Sequence, residues 1–210
     1  MIISALIPAF NEEKTIGNVI SVLKRCKEIS EIIVINDGSQ DNTSVVAKSY
    51  NVNVVDSKYN LGKGGAICKG LKVSKGDIIL ILDADLIGLQ QKHIYSLLNP
   101  IVYENIDMTT GIFANGRITT DLAQKVAPFL SGQRAIKKYI LEQIDNLEIT
   151  RYGFEVALTR YCDKNNLSEK EVSLDNLSHV MKEEKMGLYK GVKARMKMYV
   201  DIVKSINSKV

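Results

Sequence analysis

The sequence predicts an α/β fold in which a mainly parallel sheet carries helices on both faces. Three observations point there. Strand-like and helix-like stretches alternate through the first half of the chain in a βαβαβαβ order, which builds crossover units around a doubly wound sheet. The strand-like stretches are near-continuous apolar runs, as expected when both faces of a parallel sheet are covered. Polar clusters follow these runs, and in open α/β sheets ligands bind beyond the carboxyl ends of the strands.

In chain order, Ile2–Ile7 reads as a buried strand that Pro8 ends. Glu13–Lys27 reads as a helix with Ile16, Val19, Ile20 and Leu23 on one face. Glu31–Ile35 is a strand, Asn42–Tyr50 a short helix, Val52–Val55 a strand, Lys63–Val73 a helix and Asp77–Leu82 a strand. The second half is less regular. It predicts helix over Gln90–Glu104, strand over Asp107–Phe113, a loop over Ala114–Thr120, and helices near Asp121–Phe129, Gln133–Ile144 and Phe154–Lys164. Glu171–Leu174 is a weak strand and Leu188–Ile206 a basic helix.

The 210 residues suffice for one domain with a full core and a small appendage. Cys26, Cys68 and Cys162 are isolated thiols without metal-ligand spacing, which argues against a disulfide framework or a zinc site and fits a reducing cytoplasm. No secretory signal is expected at Met1–Ile7, and no apolar run approaches the ~18 residues that span a bilayer. The formal charge of +4 sits unevenly: residues 182–210 hold eight Lys/Arg against three Asp/Glu, so the excess base belongs to the tail. With no basic face elsewhere, no nucleic-acid partner is expected.

Four segments carry chemistry. Pro8-Ala9-Phe10-Asn11-Glu12-Glu13 follows the first strand, with Asn11 a candidate N-cap and acidic residues in the first helical turn. Asn36-Asp37-Gly38-Ser39 follows the second. Gly38 permits a tight turn, and Asp37 either accepts a hydrogen bond from a nucleobase or belongs to a polar turn. Asn60-Leu61-Gly62-Lys63-Gly64-Gly65 opens a helix. Its glycines bring backbone N–H groups toward a phosphate, and Lys63 adds a mobile positive charge. Asp83-Ala84-Asp85 closes a fully apolar strand. Residues two apart point the same way, so two carboxylates share one side, an arrangement relieved by a divalent metal with oxygen ligands. The plainer alternative makes one of them a helix cap and leaves the other in solvent.

Together, in this order and spacing, the four segments resemble the nucleotide-binding half of family 2-like GT-A glycosyltransferases, over about the first 115 residues. The resemblance implies a GT-A, Rossmann-like sheet. It further implies that Pro8, Ala9, Asn11, Glu12 and Asp37 hold the nucleoside, that Asp83 and Ala84 lie on the ribose side, and that Lys63 lies near the diphosphate. Asp85 would bind Mg²⁺ or Mn²⁺.

In the second half, Asn115-Gly116-Arg117-Ile118-Thr119-Thr120, Ser131-Gly132-Gln133-Arg134-Ala135, Arg151-Tyr152-Gly153-Phe154-Glu155 and Leu174 to His179 form a series similar to glucosyl-3-phosphoglycerate synthases. By that likeness Gly116, Arg117 and Thr119 bind an acceptor phosphate, Tyr152, Gly153 and Glu155 line the sugar and acceptor site, and His179 completes the metal shell. Arg beside Gly and Thr suits a phosphate, with bidentate donors and a hydroxyl. Glu155 equally suits the first turn of a helix, and a lone His is often structural. His93, inside a polar helix, is expected at the surface.

The expected organisation is one GT-A catalytic domain over 1–181, with a nucleotide half of about 1–115 and an acceptor half of about 116–181, then a basic amphipathic helix over 182–210. That helix either packs on the domain or touches anionic lipid. The expected activity is hexosyl transfer from a UDP- or GDP-sugar to a phosphorylated acceptor, small molecule or lipid, with Lys63 and Glu155 in the catalytic set. A homodimer is a further expectation. Two other readings compete with it. A nucleotidyltransferase would carry a glycine-rich loop after the first strand, which Pro8 to Glu13 lacks. A non-catalytic nucleotide-sugar-binding protein would have no use for Arg117, Glu155 and His179.

Overall fold

The computed structural model describes residues 1–114, 131–145, 147 and 153–180. The elements run β1 (Ile3–Ala9), α1 (Ile16–Leu23), β2 (Glu31–Asn36), α2 (Thr43–Ser49), β3 (Asn53–Asp56), α3 (Gly62–Val73), β4 (Ile78–Ile81), β5 (Leu86–Ile87) and α4 (Gln91–Tyr103). They continue with β6 (Met108–Ala114), β7 (Arg134–Lys137), α5 (Lys138–Glu142), α6 (Phe154–Lys164), β8 (Glu169–Asp175) and β9 (Ser178–His179).

Seven strands form one sheet in the order β3-β2-β1-β4-β7-β6-β8. β2 and β4 flank β1 in parallel, and β3 pairs parallel with β2. The chain therefore winds outward from β1 to β3 and returns to β4 on the other side. That leaves a switch point between β1 and β4, where such sheets open a crevice for ligands. β7 alone runs against its neighbours, antiparallel to both β4 and β6, and β8 pairs parallel with β6. A separate two-stranded piece joins β5 and β9, with Leu86 opposite His179.

Alternation along the central strands feeds two cores. Ala5, Ile7, Ile78 and Leu80 face one side and pack with Ile16, Val19, Ile20 and Leu23 of α1 and Ile94, Leu97 and Leu98 of α4. Leu6, Ile33, Ile35, Ile79 and Ile81 face the other and pack with Ala66 and Ile67 of α3, Ile140 of α5, and Phe154 and Leu158 of α6. Each fully buried Ile or Leu contributes about 1.5–3 kcal/mol relative to exposure, so both faces are strongly specified.

The first half follows the sequence expectation closely, and the differences have local causes. α1 begins at Ile16 with Thr15 as its N-cap, rather than at Glu13 behind Asn11. Asn11 instead takes a left-handed φ of 57°, a conformation Asn tolerates well. The expected helix over Gln133–Ile144 is divided: Arg134–Lys137 is β7, and Lys138–Glu142 is helical. Ala135 and Ile136 are claimed by β4 and β6 from both sides, so sheet pairing overrides the local pattern. His93 is not at the surface. It is 2% exposed, its Nδ1 accepts from the Gln90 N–H at 3.1 Å, and its Nε2 lies 3.0 Å from the Asp175 carbonyl oxygen. Among the described residues, no helix is long and apolar enough to cross a membrane. The helices expected near Asp121–Phe129 and over 182–210 lie outside the described residues.

Candidate active site

The loops after β1 and β2 are laced to each other at the sheet's carboxyl edge. The Asn11 N–H donates to Ser39 Oγ at 2.9 Å, and Asn11 Oδ1 accepts from the Gln40 N–H at 2.8 Å. Glu12 N–H donates to Thr43 Oγ1 at 2.8 Å, and Glu13 Oε2 accepts from the Asn42 N–H at 3.0 Å. The polar residues after Pro8 and Ala9 thus close one wall of the crevice. Glu12 and Asn11 spend their backbone N–H groups on that wall.

Asp37 is buried, and its carboxylate oxygens accept from the backbone N–H of Leu61 and of Gly62, both at 2.8 Å. A helix leaves its first N–H groups without intrahelical partners, so Asp37 caps the start of α3 from a distance in sequence. The sequence reading assigned Asp37 no such duty. Gly38, at φ 76°, makes the turn behind it, and a side chain there would strike the backbone of Tyr59 and Asn60.

Lys63, on the first turn of α3, reaches across to Asp83 Oδ1 at 2.6 Å and Glu155 Oε1 at 2.8 Å. Glu155 comes from the first turn of α6, whose N-cap is Gly153. Glu155 thus sits at a helix N-terminus and also reaches the Lys63 ammonium. Burial disfavours the Lys63 charge, but the Asp83 and Glu155 carboxylates outweigh it and raise the ammonium above its usual range. Burial likewise opposes the Asp83 charge, and Lys63 with His179 and Gln133 holds that carboxyl well below its ordinary value.

Asp83, Asp85 and His179 converge, with one ligand atom of each within 4.8 Å of the others. The β5–β9 pairing delivers His179 there, and the Val180 N–H donates to the Asp85 carbonyl at 3.2 Å. The imidazole stands edge-on to Phe113, ring centroids 4.7 Å apart. Two carboxylates and an imidazole form a donor set suited to Mg²⁺ or Mn²⁺, so the residues present fit such an ion. Asp83, read from sequence as a ribose-side residue, belongs to this cluster as well.

The segment 131–135, part of the resemblance but given no role from sequence, underlies the cluster. Gln133 is fully buried; its Oε1 accepts from the Asp83 N–H at 3.0 Å, and its Nε2 donates to Asp83 Oδ2 at 2.8 Å. Gly132 packs directly against the Lys63–Asp83 pair, leaving no room for a Cβ. Arg134, 1% exposed, donates through Nε to the Ser131 carbonyl at 3.1 Å and through a terminal nitrogen to Thr159 Oγ1 at 3.2 Å. Burial pulls its pKa down, and Glu155 and Glu169 counter that pull. A Ser-Gly-Gln stretch just before a short strand was the available signal. Gly116, Arg117, Thr119 and Tyr152 lie outside the described residues. Ala84 is buried beneath the aspartates, and Pro8 and Ala9 close β1.

Comparison with known proteins gives the family. Glucosyl-3-phosphoglycerate synthase of Petrotoga mobilis is 31% identical over 196 residues, covering 74% of this chain and 58% of that protein. The uncharacterised protein MJ1222 of Methanocaldococcus jannaschii is 39% identical over 113 residues, covering 52% of this chain and 45% of its own. The chain thus spans about half the length of these curated relatives. Among solved structures it is similar to glucosyl-3-phosphoglycerate synthase from Mycobacterium tuberculosis in complex with Mn²⁺, UDP-glucose and phosphoglyceric acid. The TM-score is 0.74 at 24% identity, covering all of this chain and 81% of the other. That likeness establishes the shared GT-A fold. The glycosyl transferase family 2 model matches residues 4–163, which takes in the loops after β1 and β2, Lys63, Asp83, Asp85 and Glu155, and the chain belongs to that family.

Proposed function

We propose that the chain transfers a hexosyl group from a nucleoside diphosphate sugar to a phosphorylated acceptor, with UDP-glucose and 3-phosphoglycerate as the first pair. The observation that carries this reading is the meeting of Asp83, Asp85 and His179 beside the Lys63 ammonium at the carboxyl edge of the sheet. The named relatives, glucosyl-3-phosphoglycerate synthases, supply the donor and acceptor classes.

In this reading the donor half is about 1–115. Pro8, Ala9, Asn11, Glu12 and Asp37 border the nucleoside, and Asp83 and Ala84 the ribose. Asp85 and His179, with Asp83 alongside, would hold Mg²⁺ or Mn²⁺, which would supply Lewis acidity for the leaving diphosphate. Lys63 adds a fixed positive charge where negative charge develops, at the N-terminus of α3. Glu155, from the acceptor half of about 116–181, accepts hydrogen bonds from sugar or acceptor hydroxyls and orients them. Gly116, Arg117 and Thr119 grip the acceptor phosphate, with Tyr152 and Gly153 beside it.

A screen of UDP- and GDP-sugars against 3-phosphoglycerate and polyprenyl phosphate, with Mn²⁺ and with chelator, tests the proposal. Metal-dependent transfer to 3-phosphoglycerate is expected. Donor binding without turnover on any acceptor would instead make the chain a binding protein. A polyprenyl-phosphate acceptor is the second reading. Dolichyl-phosphate beta-glucosyltransferase of Dictyostelium discoideum, 28% identical over 181 residues, favours it, as does the basic excess of residues 182–210. Sedimentation with anionic vesicles tests the membrane contact it requires.

A further inference from the structure

We infer that Arg134 is a positioning residue: its guanidinium fastens α6 to the sheet at Thr159 and so holds Glu155 where it meets Lys63. The inference rests on the role proposed for Glu155 above. It adds a residue that touches neither donor nor acceptor in that reading.

Arg134 is a large cation placed inside a sheet. It opens β7, with Ile81 of β4 on one side and Thr110 of β6 on the other, and it is 1% exposed. Alternation along β7 puts it on the same face as Ile136, which packs in one core with Phe154 and Leu158 of α6. Burying a charge is costly, and an apolar residue would pack in that core without the cost. The guanidinium fork instead joins three elements. Nε donates to the Ser131 carbonyl at 3.1 Å, one terminal nitrogen meets Met108 Sδ of β6 at 3.4 Å, and the other donates to Thr159 Oγ1 of α6 at 3.2 Å.

Thr159 connects this fork to the site. Residues four apart share one face of a helix, so Thr159 lies one turn beyond Glu155. Glu155 and Lys63 belong to different helices, and their 2.8 Å pair requires α6 to keep its seat. The apolar contacts of Phe154 and Leu158 hold α6 down but are non-directional, and Gly153 gives the helix no side-chain cap. The bond from Arg134 to Thr159 supplies direction. Lys63 is shared with Asp83, so a displaced Glu155 would either lose the ammonium or draw it away from Asp83. The charge of Arg134 also bears on Glu155, whose carboxylate helps to sustain the buried guanidinium.

Two experiments test this, with the best donor–acceptor pair from the screen above and a radiolabelled donor to read slow variants. In the first, Thr159→Val removes the acceptor and keeps the shape, while Thr159→Ser keeps the hydroxyl. Misplacing a reacting group by about 1 Å costs about 10²-fold, so Thr159→Val should lower kcat at least about tenfold, with donor KM and Mn²⁺-dependent UDP affinity within about twofold of wild type. Thr159→Ser should restore kcat. Wild-type kcat in folded Thr159→Val overturns the inference, and so does a Thr159→Ser protein as slow as Thr159→Val. A parallel fall in UDP affinity, the mark of a general disturbance, overturns it too. In the second, Arg134→Met is measured alone and together with Glu155→Gln. Its effect on kcat should shrink to within about twofold once Glu155 is replaced, because it acts through that carboxylate. The same fold-loss in both backgrounds overturns the role of Arg134 and leaves the proposed function standing. A wild-type chain that transfers no sugar to any acceptor overturns the proposed function and the inference together. Should Arg134→Met not fold, the Thr159 pair decides.

Discussion

Gly132→Ala isolates the contact on which the site is built. Gly132 is not among the residues with left-handed φ, so its backbone accepts a side chain, and the whole effect is steric. An added Cβ would overlap Asp83 Oδ2 and Lys63 Nζ and lie 2.8 Å from Asp83 Cγ. Carbon atoms rest at about 3.5–4.0 Å, so something moves by roughly 1 Å. The Lys63 tip is flexible, but Asp83 is tied by Lys63 at 2.6 Å and by Gln133 at 2.8 and 3.0 Å. Overpacking costs about 1–3 kcal/mol, and the mobile lysine keeps this case near 1–2. Function suffers more, because misplacing a reacting group by about 1 Å costs about 10²-fold in rate. Urea unfolding should therefore show a modest loss of stability, while kcat/KM for the best donor–acceptor pair falls by about two orders of magnitude. A Gly132→Ala protein with wild-type turnover and wild-type Mn²⁺-dependent UDP binding would refute the claim that this contact sets the site.

Lys63→Met leaves Asp83 and Glu155 without their counter-charge. It should destabilise the fold by about 3 kcal/mol in thermal unfolding at neutral pH, and adding Glu155→Gln should recover part of that loss. Arg117→Ala should raise KM for 3-phosphoglycerate and spare donor hydrolysis; equal loss of both would remove Arg117 from the acceptor site. UDP binding should strengthen on adding Mn²⁺ and revert with chelator, and Asp85→Ala should abolish the Mn²⁺ effect in calorimetry. Asp56 gives the pH test. Burial opposes its charge, yet hydrogen bonds from Lys48, Asn36 and Ser44 bring its pKa from 3.8 down to about 2. A depressed folded pKa stabilises above the unfolded value, so the Asp56 contribution is full above pH 3.8 and disappears as pH falls through about 2. Asp56→Asn should thus be less stable than wild type at neutral pH, and the gap should narrow on acid titration.

The parallel half of the sheet was legible because its signal is local. Apolar runs such as Ile78 to Leu82 end in polar residues, and a parallel sheet sends those ends to one edge. What escaped was set by distant partners. Arg134–Lys137 is only four residues, and its strand state comes from β4 and β6 on either side. Read as the start of a helix, Gln133 had no visible partner and was left without a role. His93 looked like surface on a polar helix, but its ring reaches the Asp175 carbonyl, 82 positions away. Asp37 carries a structural duty that no local pattern showed, because the backbone it caps belongs to α3, 24 and 25 positions on. In each case the pattern was read correctly as polar, and the tertiary partner decided what the polarity was for.

The charges at the site explain why these partners matter. Three carboxylates, Asp83, Asp85 and Glu155, gather around the Lys63 ammonium, with His179 beside them and the buried Arg134 acting on Glu155. Like charges this close are unfavourable in a partly buried crevice. Lys63 is shared between Asp83 and Glu155. A divalent cation at Asp83, Asp85 and His179 would relieve the repulsion between the aspartates. A diphosphate entering without that cation would meet an excess of negative charge instead. The neutral carboxamide of Gln133 suits the remaining position for the same reason. It ties Asp83 to His179 without adding to a charge that the cluster does not yet offset.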